Sequence, residues 1–101
     1  MEKARKLANA GRLTEAKTLC EQLIRDQSEL ADVYSLLGVI HQSEGRFNEA
    51  AEAFRKALYL APNHLESLTH MIVLCNARGD TPQATVLQKR LKRLTREEDQ
   101  S

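Results

Sequence analysis

Glycine recurs at positions 11, 45 and 79 of this 101-residue chain, 34 residues apart each time, and Ala16, Ala50 and Ala84 keep the same interval. A gapless period of that length marks a repeat array, in which copies of one supersecondary unit bury their apolar faces against their neighbours. The segments that begin at the glycines read GRLTEAKTLCEQLI, GRFNEAAEAFRKAL and GDTPQATVLQKRLK. They share the glycine, an Arg or Asp, then Glu or Gln followed by Ala. The period restricts the chain to a stack of small units before any single residue is interpreted.

Apolar residues recur at intervals of three and four on both sides of each glycine, which predicts two helices per unit. In the middle unit Leu37, Ile40 and His41 precede the turn, and Ala50, Ala53, Phe54 and Ala57 follow it. The glycines fall where a helix ends in a left-handed residue. Pro62, followed by Asn63, closes the second unit, because its ring would clash inside a continuing helix. Thr81 and Pro82 read as the N-cap and first position of the last helix. Helices are expected over residues 1–10, 14–26, 30–43, 47–60, 64–77 and 81–96, giving an all-α fold of about three helix-turn-helix units.

Residues 31–64 carry a resemblance to the tetratricopeptide repeat: Tyr34, Leu37, Gly38, Gly45, Phe47, Ala50, Phe54, Ala57 and Pro62 stand at that family's signature positions. His41 occupies the position where the family usually has tyrosine. The flanking units are less regular. Residues 1–30 are a partial copy, with Ala4, Leu7, Ala16, Cys20 and Leu23 but Ser28 in place of the proline. Residues 65–98 are a degenerate copy, with Ile72 where glycine is expected, and residues 99–101 form a tail. The resemblance implies a superhelix of six antiparallel helices in one domain spanning 1–98. With Ala31 opening a unit, Met1 falls on a fifth position, which suggests a piece of a larger protein.

In that architecture the first helix of each unit lines a concave groove that binds protein segments. The groove positions carried over from the family are Arg5, Ala8 and Asn9 in unit one, and Leu36, Val39, Gln42 and Ser43 in unit two. Unit three adds Glu66, Thr69, His70, Val73 and Asn76. An apolar floor edged by amides and hydroxyls suits a short peptide or helix. Some tetratricopeptide domains grip the C-terminal carboxylate of heat-shock chaperones with two lysines, two asparagines and an arginine. The matching positions here hold Met1, Arg5, Leu36, Glu66 and His70, so that clamp is not expected.

The last helix carries Lys89, Arg90, Lys92, Arg93 and Arg96. Lys+Arg 15 against Asp+Glu 14 leaves a net charge of +1, Glu97, Glu98 and Asp99 follow the cluster, and no aromatic platform accompanies it, which argues against nucleic-acid binding. Leu87, Leu91 and Leu94 form an apolar stripe on the same helix, a candidate second contact surface for another domain or for a second copy in a homodimer. No apolar run approaches the ~18 residues of a membrane span, so no membrane partner is expected.

Catalysis and metal binding find no support in the residues. Cys20 and Cys75 sit at apolar positions inside helices, where a thiol acts as a small buried hydrophobe and fits a reducing cytoplasm. No C-x-x-C, no histidine pair at i, i+4 and no glycine-rich phosphate loop is present. Of the histidines, His41 reads as interior, His64 as a loop residue, and only His70 as able to meet a ligand.

A narrower resemblance concerns FRKALYLAPNHLESLTHMIVLCNARGD and the LQKRLKRL helix after it. This run is similar to the C-terminal repeat region of bacterial CheR-type chemoreceptor methyltransferases, chiefly through Ala57–His64 and Arg78–Asp80. The resemblance implies that this chain is the non-catalytic part of an enzyme that moves a methyl group from S-adenosylmethionine to receptor glutamates. The chain would localise or regulate that enzyme by binding a chemoreceptor, a signalling protein or the methyltransferase domain. A free-standing adaptor or a secretion chaperone is the alternative reading.

Overall fold

The computed structural model describes the backbone of residues 1–100 and the side chains of residues 1–96. Six helices follow one another: α1 (Glu2–Asn9), α2 (Leu13–Arg25), α3 (Leu30–Ser43), α4 (Phe47–Leu60), α5 (Leu65–Ala77) and α6 (Thr81–Gln100). α3 and α4 have the expected bounds; α6 runs to Gln100, and Ser101 of the expected tail lies outside the described residues. Each helix packs on the next, and contacts between α3 and α5 join units two and three a second way.

The three glycines take positive φ of 80°, 76° and 76° and end the first helix of each unit. Around Gly45 the backbone closes with Gly45 N donating to Gln42 O at 3.0 Å and Arg46 N to His41 O at 2.8 Å. That pair of bonds satisfies carbonyls a helix end would leave bare and reverses the chain within three residues. The same pair recurs at Gly11 and Gly79. The join between units one and two also turns this way, but without glycine: Gln27 and Glu29 adopt φ of 54° and 48°. Left-handed backbone costs a residue with a Cβ about 1 kcal/mol.

Two apolar cores run through the stack. Ala4, Ala16, Cys20, Val33, Leu36 and Ile40 join α1, α2 and α3. Phe54, Leu68, Met71, Leu74, Ala84 and Leu87 belong to the second, which joins α4, α5 and α6. They meet where Phe54 crosses Gly38: a Cβ built on Gly38 would lie 2.5 Å from Cε1 of the Phe54 ring. The absence of a side chain at Gly38 is what lets α3 and α4 approach. The equivalent pairs, 34 residues away on either side, are Ala4 with Cys20 and Ile72 with Gln88. A small residue faces an aromatic in the middle unit; in the third unit the buried residue is large and its partner position, Gln88, is exposed. The degenerate signature of unit three is therefore a different solution to the same volume constraint.

Two helix caps differ from expectation. Asp80, rather than Thr81, caps α6: its Oδ1 accepts from Gln83 N at 3.3 Å, and Thr81 is already helical. A carboxylate is the stronger acceptor for a free N–H at a helix N-terminus. His64, expected as a loop residue, caps α5 through its ring, with Nδ1 accepting from Ser67 N at 3.2 Å.

Candidate functional site

The first helices α1, α3 and α5 bring the groove residues toward one face, but not as a uniform apolar floor. Leu36 is 5% exposed and belongs to the core between α1, α2 and α3, so it offers no surface to a ligand. This corrects its place in the groove: position 36 faces inward because α3 is flanked by helices on both sides. Val39 is half-buried against the second core, and Val73 is 51% exposed. The accessible apolar surface of this face therefore centres on Val39 and Val73.

The polar groups divide into committed and available ones. Ser43 Oγ donates to Val39 O at 3.0 Å and Thr69 Oγ1 to Leu65 O at 2.9 Å, so both hydroxyls are turned onto their own helices. Asn9 and Asn76 are exposed and Gln42 half-buried, and among the described residues these amides make no side-chain hydrogen bond. They are the groups free to pair with a peptide backbone.

Arg5 and Glu66, 61 residues apart in sequence, meet at 3.3 Å with both side chains over one-third exposed. This ion pair links α1 to α5, the outer two of the three concave helices. His70 lies 4.0 Å from the same carboxylate and stacks on Phe54, with ring centroids 5.6 Å apart and planes inclined by 13°. His70 is thus held at the edge of the second core, its remaining exposed edge beside Glu66. The spacing in sequence gave no sign of the Arg5–Glu66 pair, since it depends on the superhelical turn between units.

The last-helix stripe also requires correction. Leu87 is 4% exposed, and Leu91 and Leu94 pack partly buried against the α4–α6 core. Leu87 is consumed within the chain, because it lies on the face by which α6 docks on α5, whereas Leu91 and Leu94 keep part of their surface. The surface that α6 does present carries Val86, Lys89, Lys92, Arg93 and Arg96. The acidic side chains expected to balance it, Glu97, Glu98 and Asp99, lie outside the described residues.

His64 forms the most connected polar cluster. Its Nε2 lies 2.6 Å from Asp32 Oδ1 on α3, and its Nδ1 is 2.8 Å from Ser67 Oγ. Ser67 N can only donate, so Nδ1 is the acceptor and Nε2 carries the hydrogen given to Asp32. The Ser–His–Asp connectivity is that of a nucleophile relay. Ser67, however, is completely buried, so its hydroxyl is closed to any substrate. The cluster is a helix cap extended into a link between units two and three. Histidine is outside the usual capping set, which is why the sequence did not reveal it.

Between units one and two the corresponding link is Lys17 with Glu44, at 3.0 Å. The hydrogen bond from Lys17 holds the Glu44 carboxyl below its ordinary range. Burial pushes the neighbouring His41 imidazole below its ordinary value; Lys17 adds to this and Glu44 opposes it. Cys20 and Cys75 are free, buried thiols whose pKa burial raises, as expected of small hydrophobes rather than nucleophiles. Among the described residues no group of His, Cys, Asp and Glu is placed to hold a metal ion, and no helix is long and apolar enough to cross a membrane.

Stacked helix pairs closed by left-handed glycines, with a Gly–aromatic crossing in the middle unit, define a tetratricopeptide-repeat fold. Residues 31–64 match the family model for the tetratricopeptide repeat. More particularly, the chain is similar to two proteins described as probable biofilm formation methyltransferase WspC. The protein from Pseudomonas putida is 39% identical over 94 residues, which are 93% of this chain and 22% of the relative. The protein from Pseudomonas aeruginosa is 41% identical over 88 residues, which are 87% of this chain and 21% of the relative. The chain therefore spans about a fifth of the length of the curated relatives it matches.

Proposed function

We propose that this chain is the protein-interaction module of a methyltransferase in bacterial chemosensory or surface-sensing signalling. It localises or regulates transfer of a methyl group from S-adenosylmethionine to receptor glutamates in the cytoplasm. The chemistry itself belongs to a catalytic domain outside these residues. The observation that carries this reading is the 39–41% identity to the two WspC methyltransferases over nearly the whole chain.

A repeat module tethered to an enzyme raises the local concentration of enzyme at a receptor array without touching the reacting atoms. The face bearing Val39, Val73, Asn76, Gln42 and Asn9 supplies apolar contact plus free amides, the combination that fixes the register of a bound segment. Its partner is a chemoreceptor segment, a signalling protein or the methyltransferase domain. Calorimetric titration of the chain with each of the three, beside a Val39→Glu and Val73→Glu double variant, tests the proposal. Binding of one partner, lost in the variant with helix content unchanged, is expected. Equal binding by both forms would overturn the groove assignment, and binding of none of the three would favour an adaptor unrelated to methylation.

A further inference from the structure

A cavity of about 470 Å³ opens where α4, α5 and the α5–α6 turn meet, and none of the concave-face residues lines it. Met71, Leu74 and Cys75 back it, but each is at most 5% exposed, so its accessible surface is mainly polar. Arg55 from α4 and Arg78 from the turn stand at its mouth with Asp80. Gly79 at φ 76° and the Asp80 N to Cys75 O bond of 2.8 Å fold the turn back over α5, which is what places Arg78 and Asp80 there.

The preceding repeat shows what is unusual about this place. Thirty-four residues earlier, Glu21, His41, Glu44 and Arg46 occupy the positions of Arg55, Cys75, Arg78 and Asp80, and Lys17 occupies that of Ala51. At that earlier junction the Lys17–Glu44 ion pair of 3.0 Å joins the two elements. Here both partners have changed, to Ala51 and Arg78, so the bridge cannot form, and Glu21 has become Arg55. Among the described residues Arg55 makes no ion pair or side-chain hydrogen bond, and Arg78 donates only to the neutral amide oxygen of Asn48, at 3.1 Å. Asp80 is committed to capping α6. Burial raises the Cys75 thiol pKa, Asp80 adds to this, and Arg78 and Arg55 oppose it, so all three charges bear on the cavity floor.

Two guanidinium groups against one carboxylate leave the mouth with a surplus of one positive charge, which matches a monoanion. A planar carboxylate is the group that arginine forks bind in bidentate fashion. The volume falls within the range of ligand sites. We propose that this cavity binds an acidic peptide segment of a protein partner, holding a carboxylate between Arg55 and Arg78. This site is separate from the concave groove and does not depend on which partner the groove takes.

The test is amide-resolved NMR titration of the chain with a capped pentapeptide bearing two glutamates around a central phenylalanine. The same peptide with glutamines, and inorganic phosphate alone, form the comparison arms. The acidic peptide should shift the amides of residues 78–83, and the glutamine peptide should bind about ten-fold more weakly, the loss expected for a charge-assisted hydrogen bond. Arg55→Gln and Arg78→Gln should each weaken the acidic peptide by a similar factor; Arg93→Gln, on the outer face of α6, should not. Equal binding of the two peptides, shifts confined to the concave face, no shift at millimolar peptide, or saturation by phosphate with none by peptide would each overturn the proposal.

Discussion

Replacing Gly38 with alanine sets two effects of opposite sign against each other. Alanine is a better helix former than glycine by about 1 kcal/mol, so on local propensity alone the variant should be more stable. The added Cβ would lie 2.5, 2.7 and 2.8 Å from three ring carbons of Phe54, all closer than carbon atoms tolerate. The ring cannot retreat freely, being fully buried and stacked on His70 at 5.6 Å. Overpacking of this kind costs about 1–3 kcal/mol, and three simultaneous close contacts place it toward the upper end. The expected net loss is about 1–2 kcal/mol, a fall in Tm of roughly 5–10 °C for a chain of this size. Urea unfolding followed by helical circular dichroism measures it. A Phe54→Leu partner variant sharpens the test, because shortening the ring should cost stability in the parent but much less beside Ala at 38. The coupling expected from the double-mutant cycle is about 1 kcal/mol or more. If Gly38→Ala stabilises the chain by about 1 kcal/mol, as propensity alone dictates, or if the two substitutions are additive, the close-approach argument is refuted.

Three further outcomes follow from the same geometry. His64→Ala removes the α5 cap and leaves the buried Ser67 hydroxyl and Asp32 without their partner, so it should cost about 2 kcal/mol in urea unfolding, while His64→Asn keeps the cap and loses about half as much; a loss under ~0.5 kcal/mol for the alanine variant would contradict the link. His41 has a lowered folded-state pKa, so the unfolded chain takes up its proton first, and stability should fall as pH drops through and below the ordinary value of 6.5. His41→Tyr should flatten that part of the stability profile, and an unchanged slope would assign it to other groups. Leu87→Ala should cost about 2–4 kcal/mol and the neighbouring exposed Val86→Ala less than ~0.5 kcal/mol; a change in mass by light scattering for Leu87→Ala, without a change in stability, would restore the stripe as an intermolecular surface.

Much of the fold was legible because its determinants are local. The helix periodicity around each glycine and the left-handed φ at 11, 45 and 79 involve residues within a few positions of one another, and the bounds of α3 and α4 came out as expected. Capping was less legible: a carboxylate one residue earlier displaced Thr81, and a histidine ring served where serine or aspartate is usual. The candidate surfaces were the least legible. Helical spacing places Leu36 and Leu87 on an apolar face, but whether that face meets water or a neighbouring helix depends on which helices flank it. Both proved to be core, which leaves Val39 and Val73 as the accessible apolar groups of the concave side.

The sequence by itself determined the unit, its length, its two helices and the glycine that ends the first of them, because each of these depends on backbone preference and apolar spacing along a single stretch of chain. Only the tertiary structure decided which charges meet. Arg5 reaches Glu66 across two units, Lys17 reaches Glu44 across one, and Arg55 and Arg78 face a cavity where that preceding junction has its ion pair. Pairings of that kind are set by the small rotation from each repeat to the next, which accumulates along the stack and leaves no mark in the spacing of residues within any one unit.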